Sequence, residues 1–326
     1  ASLDPCIIII EKQKPFKNHN IIHNTKMKVS QNKLSNLGWS FRPKDELNLK
    51  NKIEKIGTKL MNLGVTINRG ITTGSNKIFV VNGEKKEEFI HHDKKSIEIL
   101  KPLLKGKDVN KWIYSFDNSY LIFSYTRIEI NQYPSIYDYL KVNKNDLEKV
   151  WEAKHGKKKW YELRGCSYYS EFEKEKIVWS ELSQEPSFCI DNKNRYLLDT
   201  NYLMTILNKE ISIMFLLALL NSKLHFWYFK QICSILGEKG LRYKKQYVEL
   251  IPIHQVNLDK QKPFILMAEK MILLYKNLSG FKKVKSSETA KLQEEIKKTD
   301  EEIDKLVYEL YEITKEEQKI IEENLK

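Results

Sequence analysis

The apolar positions along the chain alternate between helical and extended spacing. Leucine and isoleucine recur every three to four residues over residues 45–63, which predicts an amphipathic helix that ends at Gly64. The stretch from Ile211 to about Ile232 is apolar nearly all round, so it predicts a helix inside the core. Short apolar runs predict strands at residues 78–81, 120–124, 176–180 and 188–190.

Turn and cap residues add detail to this pattern. Asn82-Gly83 predicts a hairpin turn, and Ser96 predicts the N-cap of a short helix up to Leu104. Residues 137–151 predict another helix. A strand over residues 248–253 is expected at a sheet edge, because its proline cannot donate a ladder hydrogen bond.

The two ends of the chain differ from its middle. Residues 1–41 contain one β-rich run, Cys6–Ile10, followed by a polar connector. Beyond Pro263 the apolar residues follow helical spacing only, and from residue 292 to 310 they step alternately by four and three. That alternation predicts an antiparallel helix pair or a short coiled coil.

These patterns predict an α/β (α+β) fold in three parts. Residues 1–41 are expected to be the end of an upstream domain and a linker. Residues 42–255 are expected to form a domain with a mixed or antiparallel sheet around the buried helix, and residues 256–326 a helical arm.

Charge narrows the possible partners. The net charge is +13, but the last 46 residues hold 10 lysines against 13 acidic residues, so residues 1–280 carry +16. A basic body suggests a polyanion such as nucleic acid. The alternative is a protein-interaction module whose lysines only decorate its surface. With neither a signal peptide nor an apolar run long enough to cross a bilayer, the sequence predicts a cytoplasmic protein without a membrane partner.

Three loops combine glycine with basic and aromatic residues, at residues 69–77, 154–164 and 237–245. In the first loop, two glycines bracket two threonines, and such a turn can point N–H groups and hydroxyls at an anion. A tight turn between strands is the alternative. Lysines supply phosphate contacts, whereas arginine and asparagine can read guanine and adenine through paired hydrogen bonds. The sequence shows no catalytic constellation and no metal-ligand cluster.

Several motifs occur in a particular order. The run from Arg69 to Phe79 comes first, and others follow at residues 96–102, 106–108, 160–164, 176–179, 219–224, 242–243, 251–253 and 300–311. Together they resemble the specificity domain that follows the catalytic domain in adenine-specific DNA methyltransferases of fused type II (type IIG-like) restriction–modification proteins. Glu312-Ile313 departs from the family, which has Gly-Leu there.

The resemblance implies a target recognition domain that reads a short duplex DNA sequence. An upstream methyltransferase domain in the same polypeptide would flip an adenine and methylate it with S-adenosylmethionine. This chain has no Pro-Pro dipeptide and no F-x-G-x-G, so it is expected to be non-catalytic by itself, and Cys6–Ile10 could be the last strand of the missing domain. The parent could also cleave DNA. A specificity-subunit-like domain of a type I restriction system is an alternative.

The resemblance and the loop chemistry together select candidate DNA-binding residues. Lys157, Lys158 and Lys159 are expected on phosphates. Arg69, Asn76 and Arg242 are expected to read bases, although Arg69 could instead anchor its own turn. Trp160 and Tyr161 could contact DNA or belong to the core. The full set is Arg69, Thr72, Thr73, Asn76, Lys77, Lys107, Lys157, Lys158, Lys159, Arg164, Arg242 and Tyr243.

Overall fold

A computed structural model describes residues 20–23, 27–30, 43–234, 236, 240–281 and 287–325. The chain forms two units, Ala1–Lys55 and Ile56–Lys326. The strands are β1 (Asn20–His23), β2 (Met27–Ser30), β3 (Thr58–Lys59), β4 (Val65–Arg69), β5 (Val80–Asn82), β6 (Leu100–Leu104), β7 (Ser119–Ile122), β8 (Lys176–Ser180), β9 (Leu182–Ser183), β10 (Cys189–Asp191), β11 (Tyr196–Leu197), β12 (Asn201–Ile206), β13 (Leu241–Arg242) and β14 (Pro252–Ile253).

The helices vary widely in length. They are α1 (Lys44–Ile56), α2 (Asn76–Phe79), α3 (Gly83–His92), α4 (Pro134–Val142), α5 (Lys144–Glu148), α6 (Trp151–Lys154), α7 (Ile213–Leu220), α8 (Lys223–Ile232), α9 (Lys245–Val248), α10 (Leu258–Gly280), α11 (Ser287–Leu310) and α12 (Lys315–Leu325). None of those in the described ranges is long and apolar enough to cross a membrane.

The first unit contains an antiparallel hairpin of β1 and β2, in which Asn20 pairs with Ser30. This hairpin lies where a polar connector was predicted. The predicted strand Cys6–Ile10 lies outside the described residues. The predicted boundaries after residues 41 and 255 remain predictions.

Two four-stranded sheets form the body of the second unit. The central sheet has the order β10-β8-β12-β4 and is antiparallel throughout. The other has the order β11-β6-β7-β5 and is mixed, because β11 pairs parallel with β6. These sheets, with the helices that follow them, confirm the predicted α/β class.

The central sheet contains a buried ion pair. Lys176 Nζ lies 2.6 Å from Asp191 Oδ2, and both side chains are fully buried. Lys176 also donates to the carbonyl of Phe172, and Asp191 accepts the amides of Lys193 and Arg195. Burial lowers the pKa of Lys176, and the charge and hydrogen bond of Asp191 offset part of that effect. The pair therefore joins β8 to β10 inside the sheet.

Several predicted elements are wrong in type or length. The helix expected over residues 45–63 ends at Ile56, and β3 then pairs with β14, so Leu60 is buried on a 3-10 turn. Strand pairing overrides the helical spacing here. The strand expected over residues 78–81 begins only at Val80, after the single turn of α2.

Capping explains two further differences. Asn82 does not form a hairpin turn; its side chain caps α3 by accepting the amide of Lys85 at 2.9 Å. Asp93, rather than Ser96, caps the next turn, and that turn is a 3-10 helix followed by β6 instead of an α-helix up to Leu104.

Three longer predictions are also corrected. The helix expected over residues 137–151 is divided among α4, α5 and α6. The strand expected over residues 248–253 shrinks to the two residues of β14, preceded by α9. The apolar stretch 211–232 forms α7 and α8, because Ser222 interrupts it and caps α8. Most of both helices is buried, as predicted.

The C-terminal arm is helical, and the helical spacing predicted beyond Pro263 is confirmed in α10 and α11. Helices α10 and α11 run antiparallel, since Lys270 pairs with Glu295 at 3.5 Å while residues 276–280 lie beside residues 288–292. Phe264 packs edge-on against Phe215 of α7, with ring centroids 5.2 Å apart.

A buried polar network connects the C-terminal arm to β14 and α8. Tyr311 donates its hydroxyl proton to the carbonyl of Pro252 at 2.8 Å and accepts the amide of His254 at 2.8 Å. His225 lies 3.2 Å from the Tyr311 hydroxyl, and burial lowers the pKa of this histidine to about 4. The neutral imidazole of His225 therefore belongs to the same hydrogen-bond network as Tyr311, the residue that follows α11.

Candidate nucleic-acid interface

A cleft lies where strands of the central sheet begin and end together. β4 ends at Arg69 opposite Tyr202, and β8 ends at Ser180 opposite Asn201, where β12 begins. Antiparallel pairing therefore brings these three strand ends to one edge. The cleft has a volume of about 890 Å³. Five cations line it: Arg69, Lys77, Lys105, Lys107 and Arg242.

Gly70 lets the glycine turn approach the chain at residues 197–201. A Cβ atom at this position would lie 2.0 Å from the carbonyl oxygen of Leu198. Without one, the amide of Gly70 donates to Asn201 at 2.9 Å and that of Ile71 donates to Leu197 at 2.7 Å. These two N–H groups therefore bond to the protein backbone and do not face an anion. They fit the alternative interpretation of this segment as a tight turn between strands.

The threonine hydroxyls of the same turn also bond within the protein. Thr72 donates to Asp199 Oδ2 at 3.1 Å. Thr73 is buried and donates to Asn76 Oδ1 at 2.6 Å. Both threonines thus stabilise the turn, while Asn76 and Lys77 of α2 line the cleft.

Glu181 is the acidic centre of the cleft, and three cations surround its carboxylate. Arg69 Nη2 lies 3.1 Å from it, Arg242 Nη1 3.9 Å and Lys244 Nζ 4.0 Å. Arg69 Nε also donates to the carbonyl of Asp199 at 2.6 Å. Arg69 therefore anchors its turn, as the alternative proposed, while its side chain stays 50% exposed to the cleft.

The pairing of β13 with β9 explains how Arg242 reaches this site. Arg242 pairs with Leu182, the residue directly after Glu181. The amide of Tyr243 donates to the carbonyl of Glu181 at 2.7 Å. The sequence pattern missed Glu181 and Lys244. The only sequence signal for each is its position. Glu181 lies two residues after the motif at residues 176–179, and Lys244 lies directly after the motif at residues 242–243.

Asp117 organises a second pair of cations at the cleft. Lys105 Nζ lies 3.0 Å from its carboxylate and Lys107 Nζ 3.5 Å. Burial opposes ionisation of Asp117, but hydrogen bonds from Ser119 and Lys105 outweigh this and lower its pKa. Lys107, which was predicted, remains 70% exposed, whereas Lys105, which was missed, is directed onto Asp117 and Ser119.

Part of the chain, including several residues of the cleft, is similar to a known family. Residues 101–253 match the TaqI-like C-terminal specificity domain. The match covers slightly less than half of the chain. The match contains Lys105, Lys107, Glu181 and Arg242, whereas Arg69, Asn76 and Lys77 precede it. The cleft is thus completed by residues that lie before the matched segment.

Solved structures that match part of this chain include restriction–modification proteins. The type IIL restriction–modification enzyme MmeI, in complex with DNA, is 16% identical with a TM-score of 0.57, over 79% of this chain and 34% of MmeI. The type IIG restriction endonuclease BpuSI is 16% identical with a TM-score of 0.46, over 87% of this chain and 36% of BpuSI. The HsdS subunit from Thermoanaerobacter tengcongensis is 10% identical with a TM-score of 0.36, over 82% of this chain and 50% of HsdS. This chain spans about a third of the first two.

The basic loop, residues 154–164, lies beside the glycine turn. Arg164 Nε lies 2.6 Å from Glu152, and its amide lies 3.4 Å from the carbonyl of Thr72, to which it donates. Lys157 and Lys159 are exposed, but Lys158 is half-buried and donates to the carbonyl of Glu162. Burial lowers the pKa of Lys158. The three adjacent lysines are therefore not equivalent.

The predicted aromatic residues lie mainly in the protein interior. Tyr243 is only 1% exposed and stacks on Phe229, with ring centroids 4.2 Å apart. Trp160 and Tyr161 are half-buried and pack against the core. Tyr243 therefore contributes packing beneath the cleft, and its ring is not at the surface.

Proposed function

We propose that this chain recognises a short duplex DNA sequence for a site-specific adenine-N6 DNA methyltransferase of the fused type II restriction–modification kind. The observation that carries the proposal is the cleft. It brings five cations together from three distant parts of the chain. Two of them pair with Glu181 and two with Asp117. A concave, mainly cationic surface of this kind suits a polyanion.

The cleft also has groups suited to reading bases. Arg69 and Arg242 have planar guanidinium groups, which can bond bidentately to guanine. Asn76 lines the same cleft and could pair with adenine. Glu181 holds both arginines near one point, which reduces the number of orientations that they sample before binding. We assign base reading to these three residues.

Phosphate binding is assigned to the lysines at the cleft and on the neighbouring basic loop. Lys107, Lys157 and Lys159 are exposed and flexible, so they can follow the DNA backbone without reading its sequence. Lys158 is excluded, because its ammonium group is bonded to the carbonyl of Glu162. Double-stranded DNA is thus the proposed partner.

Methyl transfer is assigned to an upstream methyltransferase part of the same polypeptide. The cleft does not suit S-adenosylmethionine, because the sulfonium of that cofactor is positively charged and five cations line the cleft. No cluster of three or more potential metal ligands is present in the ranges that the structure describes. We propose recognition roles for the residues of the cleft.

Selection from a random duplex library, followed by competition binding at several salt concentrations, tests the recognition role. We expect enrichment of one short sequence and a log–log salt slope of roughly −3, from the three lysines assigned to phosphates. Salt-independent binding without enrichment would instead support the protein-interaction module.

The methyltransferase assignment has a separate test. The coding sequence upstream of Ala1 should contain a glycine-rich cofactor loop and an Asn/Asp-Pro-Pro-aromatic motif. Sequencing that detects modified bases should then find N6-methyladenine within the selected sequence. Methylation of cytosine there would contradict the adenine assignment while leaving DNA recognition intact.

A further inference from the structure

Trp151 is unusually exposed for a tryptophan. Its side chain is the largest apolar side chain in the standard set, yet the residue is 54% exposed. Trp112, Trp179 and Trp227 are completely buried. Trp151 is not required to fill the core, and it lies outside the motifs that select the cleft residues.

The ring of Trp151 is held in place by its own loop. His155 packs against it at a centroid distance of 4.5 Å, and Lys157 Nζ lies 4.6 Å from its centroid. The amide of Lys157 donates to Glu152 at 2.8 Å, which closes the turn through Gly156 at a φ of 68°. An exposed ring that is already ordered loses little conformational entropy when it binds a partner.

The surroundings of Trp151 connect it to the recognition cleft. The preceding residue, Val150, lies beside the glycine turn, since a Cβ atom on Gly74 would come within 3.0 Å of a Val150 methyl group. Glu152, the residue after Trp151, pairs with Arg164, whose amide bonds to Thr72. The same glycine turn leads into Asn76 and Lys77 of the cleft. Trp151 therefore belongs to the border of that site.

The charge around Trp151 indicates its partner. Residues 144–164 contain seven lysines and arginines against four acidic residues, and two of those acids pair with Lys149 and Arg164. Lysines attract phosphates, and an aromatic face packs on bases and deoxyriboses. A nucleic acid offers both groups within one nucleotide, so this combination favours DNA over an apolar protein surface.

We propose that Trp151 is an aromatic DNA contact at the border of the cleft, where its ring packs against a sugar or base while Lys157 binds the adjacent phosphate. The inference rests on the proposed DNA recognition and extends it to a residue outside the cleft. Trp151 would add affinity without discriminating bases, since every base presents a π-face.

The test measures binding of the full 326-residue chain to a fluorescent duplex containing its selected sequence. W151A should bind about tenfold more weakly, equivalent to ~1.4 kcal/mol, and W151F should recover most of that affinity. The salt slope should remain unchanged in W151A, because no charge is removed. L207A is the matched control: Leu207 is 66% exposed and follows β12 at the end of the sheet opposite the cleft.

Each outcome supports or overturns the inference. Wild-type binding combined with unchanged affinity in W151A would refute the Trp151 contact and leave DNA recognition standing. Absence of wild-type DNA binding would refute both. A shallower salt slope in W151A would mean that the ring only positions Lys157. Binding of the wild type to anionic phospholipid vesicles, abolished in W151A while DNA affinity is unchanged, would reassign this surface to membranes.

Discussion

The cleft and the basic loop over residues 154–164 both carry positive charge, but they hold it differently. In the cleft, Arg69 bonds to Glu181 and to the carbonyl of Asp199, and Arg242 lies 3.9 Å from the same carboxylate. In the loop, Lys157 and Lys159 are exposed and lie over aromatic rings. Guanidinium groups held by hydrogen bonds suit base reading, and exposed ammonium groups suit phosphates. The way a cationic side chain is held therefore indicates its role better than its charge does.

The largest effect should come from the interior that supports the cleft. Replacing Asp191 with alanine leaves Lys176 as an unpaired buried charge inside the central sheet. We expect the free energy of unfolding to fall by ~3–5 kcal/mol. Urea denaturation measures it. Asp146→Ala is the control, because its pair with Lys149 is exposed and its loss should leave the urea midpoint nearly unchanged. Equal effects would show that Asp191 does not support the sheet.

The next largest effect should follow from closing the space at Gly70. In Gly70→Ala the new methyl group would meet the backbone of Leu198, which cannot move as a side chain can. We expect destabilisation by about 2–3 kcal/mol together with weaker sequence preference. Gly280→Ala is the control, because nothing lies within 4 Å of its added Cβ. A Gly70→Ala variant with wild-type melting and selectivity would show that the turn tolerates displacement.

Removing a guanidinium group that reads a base should change the DNA sequence preference more than the stability of the fold. Arg242→Ala should cost ~1–3 kcal/mol of binding on the selected sequence and relax preference at one position. Arg69→Ala should do the same and also lower the melting temperature, because Arg69 supports the turn through Asp199. Library selection and thermal melting measure both. If Arg69→Ala lowers the melting temperature but keeps the sequence preference, Arg69 is purely structural.

The smallest effect distinguishes neighbouring lysines in the loop. Lys157→Ala should weaken binding to all duplexes about equally. It should also reduce the steepness of the log–log salt slope by roughly 0.9. Lys158→Ala should leave the slope unchanged, because that ammonium group is half-buried and bonded to Glu162. Equal slope changes in both variants would show that Lys158 leaves its internal partner to bind DNA.

Local sequence was sufficient for elements whose neighbours are close along the chain. The strand at residues 176–180, the helices of the arm and the basic loops follow from spacing and composition over a few residues. Local sequence failed where pairing between distant strands decided the structure. The helix expected up to residue 63 ends early because β3 pairs with β14.

The sequence by itself determined the family resemblance, the α/β class and most of the cations in the cleft. Tertiary structure alone decided that Arg69, Lys107 and Arg242 share one cleft with Glu181, and that Tyr243 lies beneath it. The reason is physical: the alternation of side chains along a strand specifies which face is buried, but not which distant strand it pairs with. That choice depends on packing across the sheet, including the approach at Gly70 that only a missing Cβ permits.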